Sequence, residues 1–185
     1  MNIPSLVTIS RIILILPIIY LTSLGGYFSN IIALGLFLIA GATDFLDGYI
    51  ARKTNAETRL GALLDLLADK LLVCTLLIWL VSLYGDLLIT IPVIIIISRE
   101  LVISSLRQFI VEQDKNNVLK VSLIAKSKTT LQIISIAMLI IAPNFKEIIF
   151  NLSVVILWSA ALFSLFSLYD YLKKWFKEFF KNIRR

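Results

Sequence analysis

Apolar residues in this chain do not alternate with polar ones at short range. They come in long runs separated by a few turn formers: 6–24, 31–50, 60–84, 87–110, 129–141 and 148–172. A helix needs roughly 20 mostly apolar residues to cross the hydrocarbon core of a bilayer. The runs break at Gly25-Gly26, Gly85-Asp86 and Pro143-Asn144, all residue pairs that favour turns. Uninterrupted stretches such as 91–98 lack the alternation of a membrane β-barrel strand. The pattern predicts six transmembrane helices, with Pro17 inside the first and polar linkers at 52–59 and 112–128. No basic region precedes the first run and no small-residue cleavage site follows it, so it reads as a span and not as a signal peptide.

Composition agrees. Of 185 residues 59% are hydrophobic and 16% charged, against about 45–50% and about 25% in soluble domains. An all-α integral membrane protein is expected, with no disulfide framework, since Cys74 is the lone cysteine. There is no histidine, which removes imidazole metal sites, imidazole bases and Ser-His-Asp triads. Chemistry falls to carboxylates, Lys, Arg, hydroxyls or Cys74.

Charge sets the expected orientation. Among 18 Lys and Arg, only Lys146 lies near the turns after the first, third and fifth runs. The positive-inside rule then places both termini and both polar linkers in the cytoplasm. The tail interleaves Lys173, Lys174, Lys177, Lys181, Arg184 and Arg185 with Trp175, Phe176, Phe179 and Phe180. It predicts an amphipathic basic helix on an anionic lipid surface, set apart at 173–185 from a catalytic body at 1–172. The plainer reading of the tail is a topology determinant. The net charge of +6 is assigned to the membrane, and no nucleic-acid partner is expected.

Four acids sit where acids are costly. Asp44, Asp47, Asp65 and Asp69 lie at or near the ends of the second and third runs, and an ionised group at membrane depth costs about 2.5–3.5 kcal/mol on insertion scales. Asp44, Asp47, Gly48 and Ala51 follow i, i+3, i+4, i+7 spacing, one face of a helix. Thr58, Gly61, Asp65 and Asp69 again share one face. The short linker makes the two helices antiparallel neighbours, with their acidic faces opposed. Four oxygen donors without His or Cys suit two hard divalent cations such as Mg²⁺ or Mn²⁺, a pair suited to phosphoryl chemistry. Small Gly48, Ala51 and Gly61 leave room for a ligand against the backbone, and Arg52 and Lys53 follow where phosphates could be held. Small residues on membrane helices also serve plain helix packing.

The pattern Asp44-x2-Asp47-Gly48-x2-Ala51-Arg52-x8-Gly61-x3-Asp65-x3-Asp69 resembles the signature of the CDP-alcohol phosphatidyltransferases, with all eight specified positions present. Further segments are similar to the bacterial branch whose acceptor is glycerol 3-phosphate: Asn2-Ile3-Pro4-x3-Thr8-x2-Arg11, Arg99-Glu100 with Arg107, Lys126-x-Lys128-Thr129-x2-Gln132, and the stretch from Trp158 to Tyr171. Ser5 and Ala125 depart from that branch, where Asn and Gly are expected. The resemblance implies a six-helix CDP-alcohol phosphotransferase fold in the bacterial plasma membrane, a homodimer, and an active site open to the cytoplasm. It implies that Asp44 and Asp65 bridge two metal ions, that Asp47 binds one, and that Asp69 binds the other and acts as general base. It implies contacts to CDP-diacylglycerol from Gly48, Arg52 and Thr58, with the 8–11 segment nearby, so that Thr8, Arg11, Ala51 and Gly61 join the lipid-binding set.

The implied reaction joins CDP-diacylglycerol and sn-glycerol 3-phosphate to give phosphatidylglycerophosphate and CMP. Arg99, Arg107, Lys120, Lys126 and Lys128 are candidates for the acceptor phosphate. The lysines also satisfy the positive-inside rule without further role. Arg99 is harder to explain that way, because 91–97 is continuously apolar before it. Glu100 faces another direction and reads as one half of a structural ion pair. Trp79, Tyr84, Trp158 and Tyr171 read as interfacial or packing aromatics, and Cys74 as core. Two alternatives stay open: a cardiolipin, phosphatidylserine or phosphatidylinositol-type synthase of the same family, and a small cation or proton transporter.

Overall fold

The computed structural model describes the backbone of residues 3–54, 59–112, 123–145 and 147–183, and side chains over 9–43, 67–68, 70–106, 108, 129–145, 147–173 and 175–176. The described elements are all helical: α1 (Ile3–Leu24), α2 (Tyr27–Thr54), α3 (Arg59–Tyr84), α4 (Leu87–Glu112), α5 (Leu123–Ile141) with a 3-10 turn at Ala142–Asn144, and α6 (Glu147–Ile183). Each apolar run lies inside one helix, and α2, α5 and α6 outlast their runs at the end that carries basic residues. Backbone hydrogen bonding does not stop where the apolar run stops, and Lys, Arg and Glu are good helix formers. In α6 the helix passes position 172 without a break and ends at Ile183.

Leu87–Leu106 and Glu147–Lys173 are each long and apolar enough to cross a membrane, while Ile9–Leu24, Tyr27–Thr43, Lys70–Tyr84 and Thr129–Asn144 are shorter apolar helices. The buried positions follow helical spacing. On α1 they are Arg11, Ile15, Ile18 and Thr22; on α2, Asn30, Ala33, Phe37 and Ala40; on α4, Ile89, Val93, Ile96, Arg99 and Ile103. Each stripe holds a polar residue inside, while Ile13, Leu16, Phe28, Leu87, Ile148 and Phe166 point outward at 61–78% exposure. Apolar exterior and partly polar interior invert the soluble pattern, and suit a surface solvated by lipid.

The chain divides into two compact units. The first comprises Met1–Gly85 and Ser135–Ser153, the second Asp86–Ile134 and Val154–Arg185.

In the first unit α1 packs on both α2 and α3. Gly25 makes the α1–α2 turn with φ of 64°, a left-handed conformation that glycine adopts without a Cβ clash. At that end, Asn30 Nδ2 donates to Asn144 Oδ1 at 2.9 Å and Asn144 Nδ2 donates to the Tyr27 carbonyl at 3.0 Å. Trp79 Nε1 donates to Thr22 Oγ1 at 2.8 Å, tying α3 to α1.

The closing turn of α5 shows why Tyr84 is not a mere packing aromatic. A continued helix would direct the amide of residue 143 to the carbonyl of Leu139, but Pro143 has no N–H. Tyr84 Oη donates to that carbonyl instead, at 2.6 Å. The same compensation occurs in the second unit. Pro92 inside α4 leaves the Leu88 carbonyl without its i+4 donor, and Trp158 Nε1 on α6 donates to it at 3.0 Å. Asp86 caps the start of α4, its Oδ1 accepting from the Leu88 amide at 2.8 Å.

Tyr84→Phe should therefore lower stability by about 1–2 kcal/mol, the cost of stranding a partly buried acceptor. The loss should shrink in a Pro143→Ala background, where the backbone regains its donor. Thermal unfolding of the four variants in detergent measures both; equal losses in the two backgrounds would refute the compensation.

Candidate active site

The backbone puts the acidic positions on regular helices. α2 runs unbroken through Asp44, Asp47, Gly48, Ala51 and Arg52, and α3 through Gly61, Asp65 and Asp69. At about 100° per residue the positions 44, 47, 48 and 51 fall within an arc of about 100°, and 61, 65 and 69 within about 80°. The two helical faces read from the spacing are thus present as backbone. The side chains of these residues lie outside the described set, as do Thr58 and Lys120 altogether. Thr8 lies on α1, Arg107 on α4, and Lys126 and Lys128 on α5, each with its side chain outside the described set.

Arg11 is described, and it is completely buried. A guanidinium removed from solvent needs partners, and helix register shows what lies level with it. Thr22 and Trp79, joined by their hydrogen bond, sit near the C-terminal ends of α1 and α3. Two helices tied at those ends and packed together run in the same direction. Counting eleven residues back from each, about 16 Å of helix, sets Arg11 level with Ala68, which is also fully buried. Three residues further, Thr8 comes level with Asp65. The expected lipid-binding residues of α1 therefore share a level of the first unit with the acidic positions of α3.

Among the described residues Arg99 is the other buried arginine, 5% exposed on the inner stripe of α4. Its Nη1 donates to Glu100 Oε2 at 3.0 Å, and its Nη2 donates to Ser167 Oγ on α6 at 2.7 Å. Glu100, expected to face elsewhere, proves to be the ion-pair partner of its neighbour. The flexible arginine side chain spans the angle that separates adjacent helical positions. Ser167 was not singled out from the sequence. The available signal is the spacing of Ser153, Ser164 and Ser167 on one buried face of α6, where hydroxyls interrupt an otherwise apolar stripe.

The candidate donor set is four carboxylates at positions on two consecutive helices, α2 and α3, in a chain without histidine. Hard divalent cations with oxygen preference fit such a set. The guanidinium groups of Arg11 and Arg99 suit phosphate ligands.

Comparison with known proteins agrees with this chemistry. The family model described as CDP-alcohol phosphatidyltransferase matches residues 1–166. A protein of Haemophilus influenzae is 40% identical over 173 residues, covering 93% of this chain and 92% of its own. One from Wigglesworthia glossinidia brevipalpis is 37% identical over 186 residues, covering 98% and 99%, and one from Escherichia coli K12 is 36% identical over 171 residues, covering 92% and 93%. All three carry the name CDP-diacylglycerol–glycerol-3-phosphate 3-phosphatidyltransferase. With buried arginines, outward apolar faces and the eight-position acidic signature on two helices, the chain belongs to the CDP-alcohol phosphatidyltransferase family.

Proposed function

We propose that the chain transfers the phosphatidyl group of CDP-diacylglycerol to sn-glycerol 3-phosphate, releasing phosphatidylglycerophosphate and CMP. The observation that carries this is the complete acidic signature on the backbone faces of α2 and α3, in a chain whose relatives are named for this reaction over nearly their whole length. The protein is an integral membrane protein; in this reading it spans the bacterial plasma membrane six times, as a homodimer, with termini and active site cytoplasmic. The tail at 173–185 rests on the anionic lipid surface, a reading supported by the unbroken course of α6 to Ile183.

Asp44, Asp47, Asp65 and Asp69 would together hold two divalent cations, Mg²⁺ or Mn²⁺. When bound, such ions neutralise pyrophosphate charge and polarise the reacting phosphorus. The chain's own groups do the rest. Thr8, Arg11, Gly48, Ala51, Arg52, Thr58 and Gly61 bind and orient the CDP-lipid, the small residues giving close backbone approach and Arg52 gripping phosphate. Asp69 accepts the proton of the acceptor's 1-hydroxyl as that oxygen bonds to the β-phosphorus and the bond to CMP breaks. A carboxylate is a weak base, so holding the hydroxyl in line supplies most of the rate. Arg99 and Arg107, with Lys120, Lys126 and Lys128, provide the positive charge that selects a phosphorylated acceptor over neutral serine or inositol.

CMP release in detergent should require both glycerol 3-phosphate and a divalent cation. Serine, inositol or phosphatidylglycerol should not replace the acceptor, and chelation should abolish release until Mg²⁺ or Mn²⁺ is restored. Preference for another acceptor would place the chain elsewhere in its family, and metal-independent release would sink the ion assignment.

Asp69→Asn should lower turnover by roughly 10²–10⁴-fold while CDP-diacylglycerol binding survives; normal turnover would exclude Asp69 as the base. Arg99→Ala should raise KM for glycerol 3-phosphate by about tenfold or more, with a much smaller effect on KM for CDP-diacylglycerol. Equal effects on both substrates would remove Arg99 from the acceptor site.

A further inference from the structure

Hydrogen bonds from Trp158 to the Leu88 carbonyl and from Arg99 to Ser167 join α4 to α6 within the second unit. Between them the chain advances eleven residues on α4 and nine on α6, about 16 Å and about 14 Å of helix. The near match means that the two helices run in the same direction in a fixed register. The first bond satisfies a carbonyl that Pro92 has freed, so the backbone itself accounts for it. The second has no such origin. It spends a buried hydroxyl, 8% exposed, on the end of a long side chain.

Serines in this fold ordinarily bond back to their own helix. Ser153 donates to the Phe150 carbonyl at 2.7 Å and Ser159 to the Val155 carbonyl at 2.9 Å. Ser167 differs in accepting from another helix at 2.7 Å. Its hydroxyl and the Glu100 carboxylate hold the two terminal nitrogens of one guanidinium. A free arginine side chain samples many rotamers. Anchoring both terminal nitrogens removes that freedom before any ligand arrives, which is how a binding group is preorganised.

We infer that Ser167 is a positioning residue for the acceptor phosphate: α6 holds the Arg99 guanidinium in its binding orientation through this hydroxyl. The inference rests on the acceptor role of Arg99 given under Proposed function. Ser167 acts through Arg99 and touches no substrate.

The test compares Ser167→Ala with Trp158→Phe, which removes the other tie between the same two helices. Ser167→Ala should raise KM for glycerol 3-phosphate roughly five- to thirtyfold, with kcat and KM for CDP-diacylglycerol within about twofold of the parent. Ser167→Thr, which retains the hydroxyl, should restore most of the loss. Trp158→Phe should lower the unfolding temperature and leave both KM values unchanged. In an Arg99→Ala background, Ser167→Ala should add nothing further. A purely structural tie would make Ser167→Ala behave like Trp158→Phe, and that result overturns the inference. So does a Ser167→Ala effect of equal size on both substrates, or one that persists undiminished without Arg99. If Arg99→Ala is selective for the acceptor while Ser167→Ala is silent, positioning alone is refuted. If Arg99→Ala is itself unselective, the acceptor role falls, and positioning with it.

Discussion

The structure depends on one constraint: a polar group enclosed by apolar surroundings must find its partner within the protein. Prolines make the constraint visible. Pro143 and Pro92 each take an amide out of a helix that needs it, and in each case an aromatic side chain from another helix supplies the missing donor. Tyr and Trp suit this task because a large apolar body carries a single polar tip. The same requirement explains the asparagines near the α1–α2 turn of the first unit, where Asn144 both accepts from and donates to the start of α2. It also explains the Glu100 carboxylate beside the Arg99 guanidinium. Helix packing in both units is therefore specified by hydrogen bonds at discrete points along otherwise greasy surfaces.

That arrangement suits a transferase whose donor substrate is a lipid and whose acceptor is an ion. Outward faces of Leu, Ile and Phe meet acyl chains, while the buried stripes hold Arg11 and Arg99. Away from water, a guanidinium and a phosphate attract each other more strongly than they would in bulk solvent. The carboxylates of α2 and α3 bring the opposite charge, and Arg11 lies at the same level of the helix stack as α3's acidic positions. In the proposed reading the acids would gather cations and the arginines phosphates, complementary parts of one chemistry.

Much of this was legible in the sequence. The six helices follow directly from the apolar runs, because a run of that length has few other ways to satisfy its backbone. The helix ends did not follow, since α5 starts six residues before its run and α6 continues eleven past it; charged helix formers extend the hydrogen-bonding pattern without extending hydropathy. The helical course through the acidic positions was legible because their spacing is local, three to four residues apart against 3.6 per turn. The partners of Tyr84, Trp158 and Arg99 were not, because each bond joins residues 55 to 70 positions apart, and nothing in a run of hydrophobic letters states which helix lies beside which. The proline-freed carbonyls offered a partial clue: Pro92 and Pro143 announce that a donor is needed without naming it.

The pairing at Arg99 also separates two tasks. Its ion-pair partner is the next residue, whereas its hydroxyl partner arrives 68 residues later. α4 taken alone thus already holds a matched pair instead of a bare cation. The bond to Ser167 needs α6 as well. A local contact settles the charge of the helix, and a distant one settles where its guanidinium points.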